Sequence, residues 1–83
     1  MKVRVTESGL PLAGCRVMFA VRNSDGSYNP VASALTDDNG LVEMILGARV
    51  EGYYVAVEKL EGNWGRFVKV AFGEVKEIEF RKN

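Results

Sequence analysis

Apolar residues recur at every second position in short runs along this chain, and clusters of glycine, proline, asparagine, aspartate and serine separate the runs. Period-two alternation places successive side chains on opposite faces, so each run predicts a half-buried β-strand. A strand over residues 2–6 turns Val3 and Val5 inward. One over 15–22 sets Cys15, Val17, Phe19 and Val21 against Arg16, Met18, Ala20 and Arg22. A third covers 28–36, and Pro30 near its start marks it as an edge strand, because proline donates no ladder hydrogen bond. Residues 41–46 are apolar on both faces except at Glu43, the mark of an interior strand. Strands over 53–60, 66–72 and 75–81 follow, the last turning Ile78 and Phe80 inward and Glu77, Glu79 and Arg81 to water.

The connections carry equally definite chemistry. Between two alternating runs lies Thr36-Asp37-Asp38-Asn39-Gly40, which reads as a β-hairpin. Its aspartate and asparagine side chains can accept from nearby main-chain N–H groups, and Gly40 can take a positive φ. Asp25-Gly26 marks a second hairpin and Glu61-Gly62-Asn63-Trp64-Gly65 a third, while Phe72-Gly73-Glu74 is a tight reversal. Pro11, within Gly9-Leu10-Pro11-Leu12-Ala13-Gly14, makes that segment a bend or a crossing between sheets. Seven short strands and no helical period predict an all-β, antiparallel Greek-key β-sandwich or a small barrel, the sandwich being the better fit, with residues 1–83 as one domain.

Composition narrows the functional classes. Eleven basic residues balance eleven acidic ones, so no net field draws the chain to nucleic acid or to an anionic membrane. With no histidine, the commonest general base and metal ligand is missing. Cys15 is the one cysteine, which excludes an internal disulfide and a cysteine-based zinc site. It falls on an apolar face and reads as a small buried hydrophobe. No apolar run approaches a membrane span, and the first residues alternate straight into a strand without a signal-peptide core. A cytoplasmic protein and a domain cut from an exported one both fit.

Two kinds of site follow. Counting strand directions puts the 37–39 turn and the 61–65 loop at one end of the sandwich, with Glu7 nearby and Tyr28, Asp25 and Arg49 at the other end. Trp64 can then stack on a sugar ring or anchor in a partner, with Asn63, Asp37 and Asp38 adding polar contacts. The competing reading folds Trp64 over the sandwich as a core lid. A calcium cage at Asp37 and Asp38 falls short of the six or more oxygen ligands it needs, so no metal or other cofactor is expected. The second kind of site is a strand edge that pairs with another protein or a second copy, the third and first strands being the candidates. Catalysis has no motif behind it. Glu43 and Glu58 could face each other across adjacent strands, although a solvated pair, with Glu43 beside a basic neighbour, is the simpler reading.

The runs Gly9-Leu10-Pro11-Leu12-Ala13-Gly14-Cys15-Arg16-Val17, Thr36-Asp37-Asp38-Asn39-Gly40 and Gly52-Tyr53 followed by Val55 and Val57 resemble the carboxypeptidase regulatory-like and Cna protein B-type families. Cys15 stands where those families usually carry alanine. The resemblance implies a transthyretin-like, or prealbumin-like, seven-stranded sandwich acting as a non-catalytic accessory module. Related hydroxyisourate hydrolases need histidines and a Tyr-Arg-Gly-Ser end, both lacking here. Some Cna B-type domains form a lysine–asparagine isopeptide bond, for which Lys2, Asn83 and Glu43 or Glu58 are the residues of the right type.

Overall fold

The computed structural model describes residues 1–60, 62–71 and 73–80, with Leu60 described by its backbone. Its strands are β1 (Lys2–Glu7), β2 (Leu10–Pro11), β3 (Arg16–Arg22), β4 (Tyr28–Leu35), β5 (Leu41–Glu43), β6 (Tyr53–Leu60), β7 (Asn63–Trp64), β8 (Val68–Val70) and β9 (Val75–Glu79). They form two sheets. In the first, β1 is central, with β9 parallel to it on one side and β2 and β5 antiparallel on the other. In the second, β4, β3 and β6 lie in that order, and β6 also pairs with β7 and β8.

The all-β sandwich is as the alternation predicts, and β2 and β7 are two-residue additions to the seven main strands. Inward side chains of both sheets make the core. Val3, Val5, Val17, Phe19, Val55 and Val70 are fully buried, and Ile78 and Phe80 pack against the cluster from its margin. Burying β-branched side chains between two pleated faces is the main favourable contribution at this size. Among the described residues, no helix is long and apolar enough to cross a membrane.

Three expectations need correction. The 36–40 turn is not a hairpin within one sheet: it carries the chain from β4 in the second sheet to β5 in the first. Hydrogen bonds from Asp37 N to Leu41 O and from Gly40 N to Asp37 O close the turn locally, which is all that turn residues can specify. The run after it is no interior strand. Only Leu41–Glu43 is strand, paired to β1 alone, and after Met44, which still exchanges hydrogen bonds with Met1, the chain crosses back to the second sheet. The first strand, a candidate free edge, is flanked on both sides. The expected parts at Glu61, Phe72, Arg81 and Asn83 lie outside the described residues.

The two sheets face each other with β4 and β5 on one flank and β8 and β9 on the other. Glu7, the 36–40 turn and the paired Leu60 and Asn63 share one end. The hairpin at Asn23–Ser27 and residues 44–52 share the opposite end. Loop chemistry at each is local: Asp25 Oδ1 accepts from Ser27 N at 3.0 Å and from Ser27 Oγ at 2.6 Å.

Candidate functional site

The β4 edge is the feature that the topology leaves most open. Thr36 directs both main-chain groups at the β3 side, its N–H to Cys15 O at 2.8 Å and its carbonyl to Gly14 N–H at 3.0 Å. Main-chain groups alternate in direction along a strand, so Ala34 and Ala32 also face β3. Leu35 and Ser33 therefore point their N–H and C=O groups away from the sheet. A bulge between Phe19 and Ala20 shifts the register beyond, so Ala20 pairs with Pro30 and Val31 is the extra residue.

Side chains complete the picture. Ala32 and Ala34 turn inward and pack on the core, opposite Phe19 and Val17. Val31 and Leu35 are left 45% and 58% exposed. Sheet edges are usually guarded by charge, proline or shortness. Here β9 carries Lys76, Glu77 and Glu79, β8 has three residues with Lys69 at the centre, β5 ends in Glu43, and β2 and β7 span two residues each. β4 alone is both longer than these and free of charge, guarded only by Pro30 and the bulge.

The outer face next to this edge carries an aromatic cluster that sequence reasoning missed. Tyr28 of β4 and Phe67 beside β8 stack with centroids 4.2 Å apart and planes 17° from parallel, and Tyr54 of β6 meets Tyr28 edge-on at 5.2 Å. Two alanines on the outer face, Ala20 and Ala56, are 0% and 1% exposed. Small side chains there let rings from distant strands close over the sheet. The alternation of β6 held this signal; the lateral order of strands, which brings Tyr28 to Phe67, was not readable.

The residues chosen for ligand contact are placed apart. Asp37 is a turn former, its Oδ1 accepting from Asn39 N at 2.8 Å and Leu41 N at 3.0 Å. Asp38 is exposed beside it. Both lie on the β4–β5 flank. Trp64 pairs with Glu58 on β7, at the same end but beyond β3 and β6, with Asn63 exposed next to it. Trp64 is half-buried and is not among the side chains packed on the core cluster. No group of three or more Cys, Asp or Glu residues converges as a metal site among the described residues.

Two clefts open at the Glu7 end. One, of about 470 Å³, is lined by Glu7, Leu12, Cys15, Glu58, Lys59 and Phe80, among others. The Cys15 thiol points to Glu58 O at 3.9 Å. Burial pushes that thiol up from its ordinary pKa, and the Glu58 and Glu7 carboxylates push it the same way. It is an unreactive setting for a cysteine. The second cleft, about 510 Å³, runs between β6 and β9 past Val57, Val68 and Ile78. None of Trp64, Asn63, Asp37 or Asp38 lines either cleft.

Glu43 and Glu58 do not face each other across adjacent strands, since they lie in different sheets. Glu43 lies in the first sheet, exposed, 3.9 Å from Lys2 Nζ, as the solvated reading has it. Glu58 lies on the outer face of the second sheet, 3.8 Å from Arg16 Nε. The isopeptide trio cannot be followed to its end, since Asn83 is outside the described residues.

No protein-family model and no curated protein matches the chain. Solved structures do. The crystal structure of transthyretin from Sparus aurata superposes with a TM-score of 0.70 at 11% identity, covering 98% of this chain and 87% of that one. Sea bream transthyretin in complex with thyroxine gives 0.71 at 12% identity, covering 99% and 86%. At such identities the likeness shows the fold, a transthyretin-like β-sandwich, and leaves function to the residues.

Proposed function

We propose that this protein is a non-catalytic interaction module that binds another polypeptide along the β4 edge. A strand added there would satisfy the outward groups of Ser33 and Leu35, and cover the exposed Val31 and Leu35 side chains. The observation that supports this reading is the contrast between edges: β4 spans eight residues without a charge, while β9, β8 and β5 carry charged side chains. The carboxypeptidase regulatory-like and Cna B-type resemblance, an accessory-module family, agrees with the same use.

A photo-crosslinking residue in place of Leu35, with a control in place of Glu77 on β9, tests the reading in cells. The expected result is a discrete adduct from position 35 and none from position 77. Equal labelling at both positions, or none at either, would sink it.

A second reading keeps Trp64 and Asn63 as a carbohydrate contact, supported by an indole that is half-exposed and off the core cluster. Trp64 is the one tryptophan, so its fluorescence reports directly. A shift with one polysaccharide would favour this reading; an emission unmoved by the whole panel would remove it.

A further inference from the structure

We infer that the strand received by the β4 edge is β4 of a second copy of this chain, antiparallel about a two-fold axis at Ser33. The inference rests on the edge reading above and specifies its partner. Facing groups must match in an antiparallel pair, and residues that exchange both hydrogen bonds must both point across the seam. With Ser33 opposite its own counterpart, Val31 falls opposite Leu35 of the second copy, and Leu35 opposite its Val31. Ser33 and Leu35 are outward-facing, so the central serine pair exchanges both hydrogen bonds and each Leu35 offers its N–H and C=O to the seam, while Val31, at the bulge, meets Leu35 of the other copy through its exposed side chain. Ala32 and Ala34, which face β3, fall opposite each other and make no demand on it.

Side chains fit this register as well. Val31, Ser33 and Leu35 share the outer face by alternation, so the two large exposed side chains meet as apolar cross-strand pairs flanking a small serine pair. A register moved by one residue would instead set outward main-chain groups against inward ones. No charged residue lies between Tyr28 and Thr36, so two copies bring no like charges together along the strand. The interface is isologous, with one patch serving both sides, and it closes at two copies. The result is one sheet continuous across the pair, with the Tyr28–Phe67 cluster on its outer face in each copy.

Sedimentation velocity tests the inference by charge exchange. Between about 1 µM and about 1 mM, the mass should rise from 9.2 kDa toward twice that value. Val31→Lys and Leu35→Glu, each at an exposed position, should separately weaken association roughly tenfold or more, with circular dichroism unchanged. Together in one chain they should restore it, because the introduced lysine of one copy falls opposite the introduced glutamate of the other. Within one copy these positions lie four residues apart, on the order of 13 Å along the strand, too far to pair.

A wild-type chain that stays at 9.2 kDa throughout, or a double variant no better than either single one, would overturn the inference. A crosslinked adduct at position 35 with a different protein, alongside a monomeric wild type, would overturn self-pairing while leaving the edge reading intact.

Discussion

Gly40 lies against Val5 so closely that there is no room for a side chain: its carbonyl accepts from Val5 N–H at 2.7 Å, and a Cβ on Gly40 would stand 2.4 Å from Val5 O. The turn residue thereby fastens the crossing between the sheets to the central strand of the first sheet. Its φ of +72° adds a second reason for glycine. Gly40→Ala is expected to cost about 2–3 kcal/mol, lowering the melting temperature by roughly 10–20 °C. Calorimetry checks this, and a change of only a degree or two would contradict the tight approach.

Thr36 ties the same region together from inside. Its buried hydroxyl donates to Leu12 O at 2.6 Å and accepts from Cys15 N–H at 2.9 Å. Thr36→Val keeps the shape and strands both partners, so a loss of about 1–3 kcal/mol is expected in urea unfolding. Thr36→Ser should lose much less. Equal losses would show that the methyl group matters and the hydrogen bonds do not.

The Tyr28–Phe67 stack spans the second sheet from β4 to β8. Replacing either ring by alanine should destabilise by about 1–2 kcal/mol, with a coupling of about 0.5–1.5 kcal/mol in the double-mutant cycle. Strict additivity would mean that the rings are not in contact in solution.

Cys15 makes a pH-dependent contribution whose sign follows from its raised pKa. Between the unfolded and folded pKa values the unfolded thiol has lost its proton while the folded one keeps it, so the unfolded state binds fewer protons and stability falls as pH rises. The contribution is fully present below the ordinary thiol pKa and is lost above it. Cys15→Ala should flatten the alkaline side of the stability profile. Alkylation of the folded wild type should also be slower than that of the unfolded chain at the same pH, and equal rates would contradict the buried setting.

Much of this architecture was legible in the alternation. Val3, Val5, Val17, Phe19, Val55 and Val70 fall on the faces that the period assigns, and β6 has the bounds read from sequence. What the period does not encode is which strand lies beside which. The parallel pairing of Lys2–Thr6 with Val75–Glu79 joins opposite ends of the chain, and nothing local announces it. For the same reason β1 resembled an edge and the 36–40 turn a hairpin, since Asp37 and Gly40 make identical local hydrogen bonds whether the next strand joins the same sheet or the other. The separation of Trp64 from Asp37 is likewise lateral. Counting strand directions put them at one end, while the intervening β3 and β6 set them on opposite flanks.

The most direct measurement is amide hydrogen exchange along β4, residue by residue, at two concentrations. In dilute protein, Ala32 and Ala34 should be protected and Ser33 and Leu35 should exchange fast, and concentrating the protein should protect those two while leaving the other edges unchanged. Uniform protection at high dilution, or fast exchange at 33 and 35 that concentration and added partner never slow, would contradict β4 as the open interaction edge.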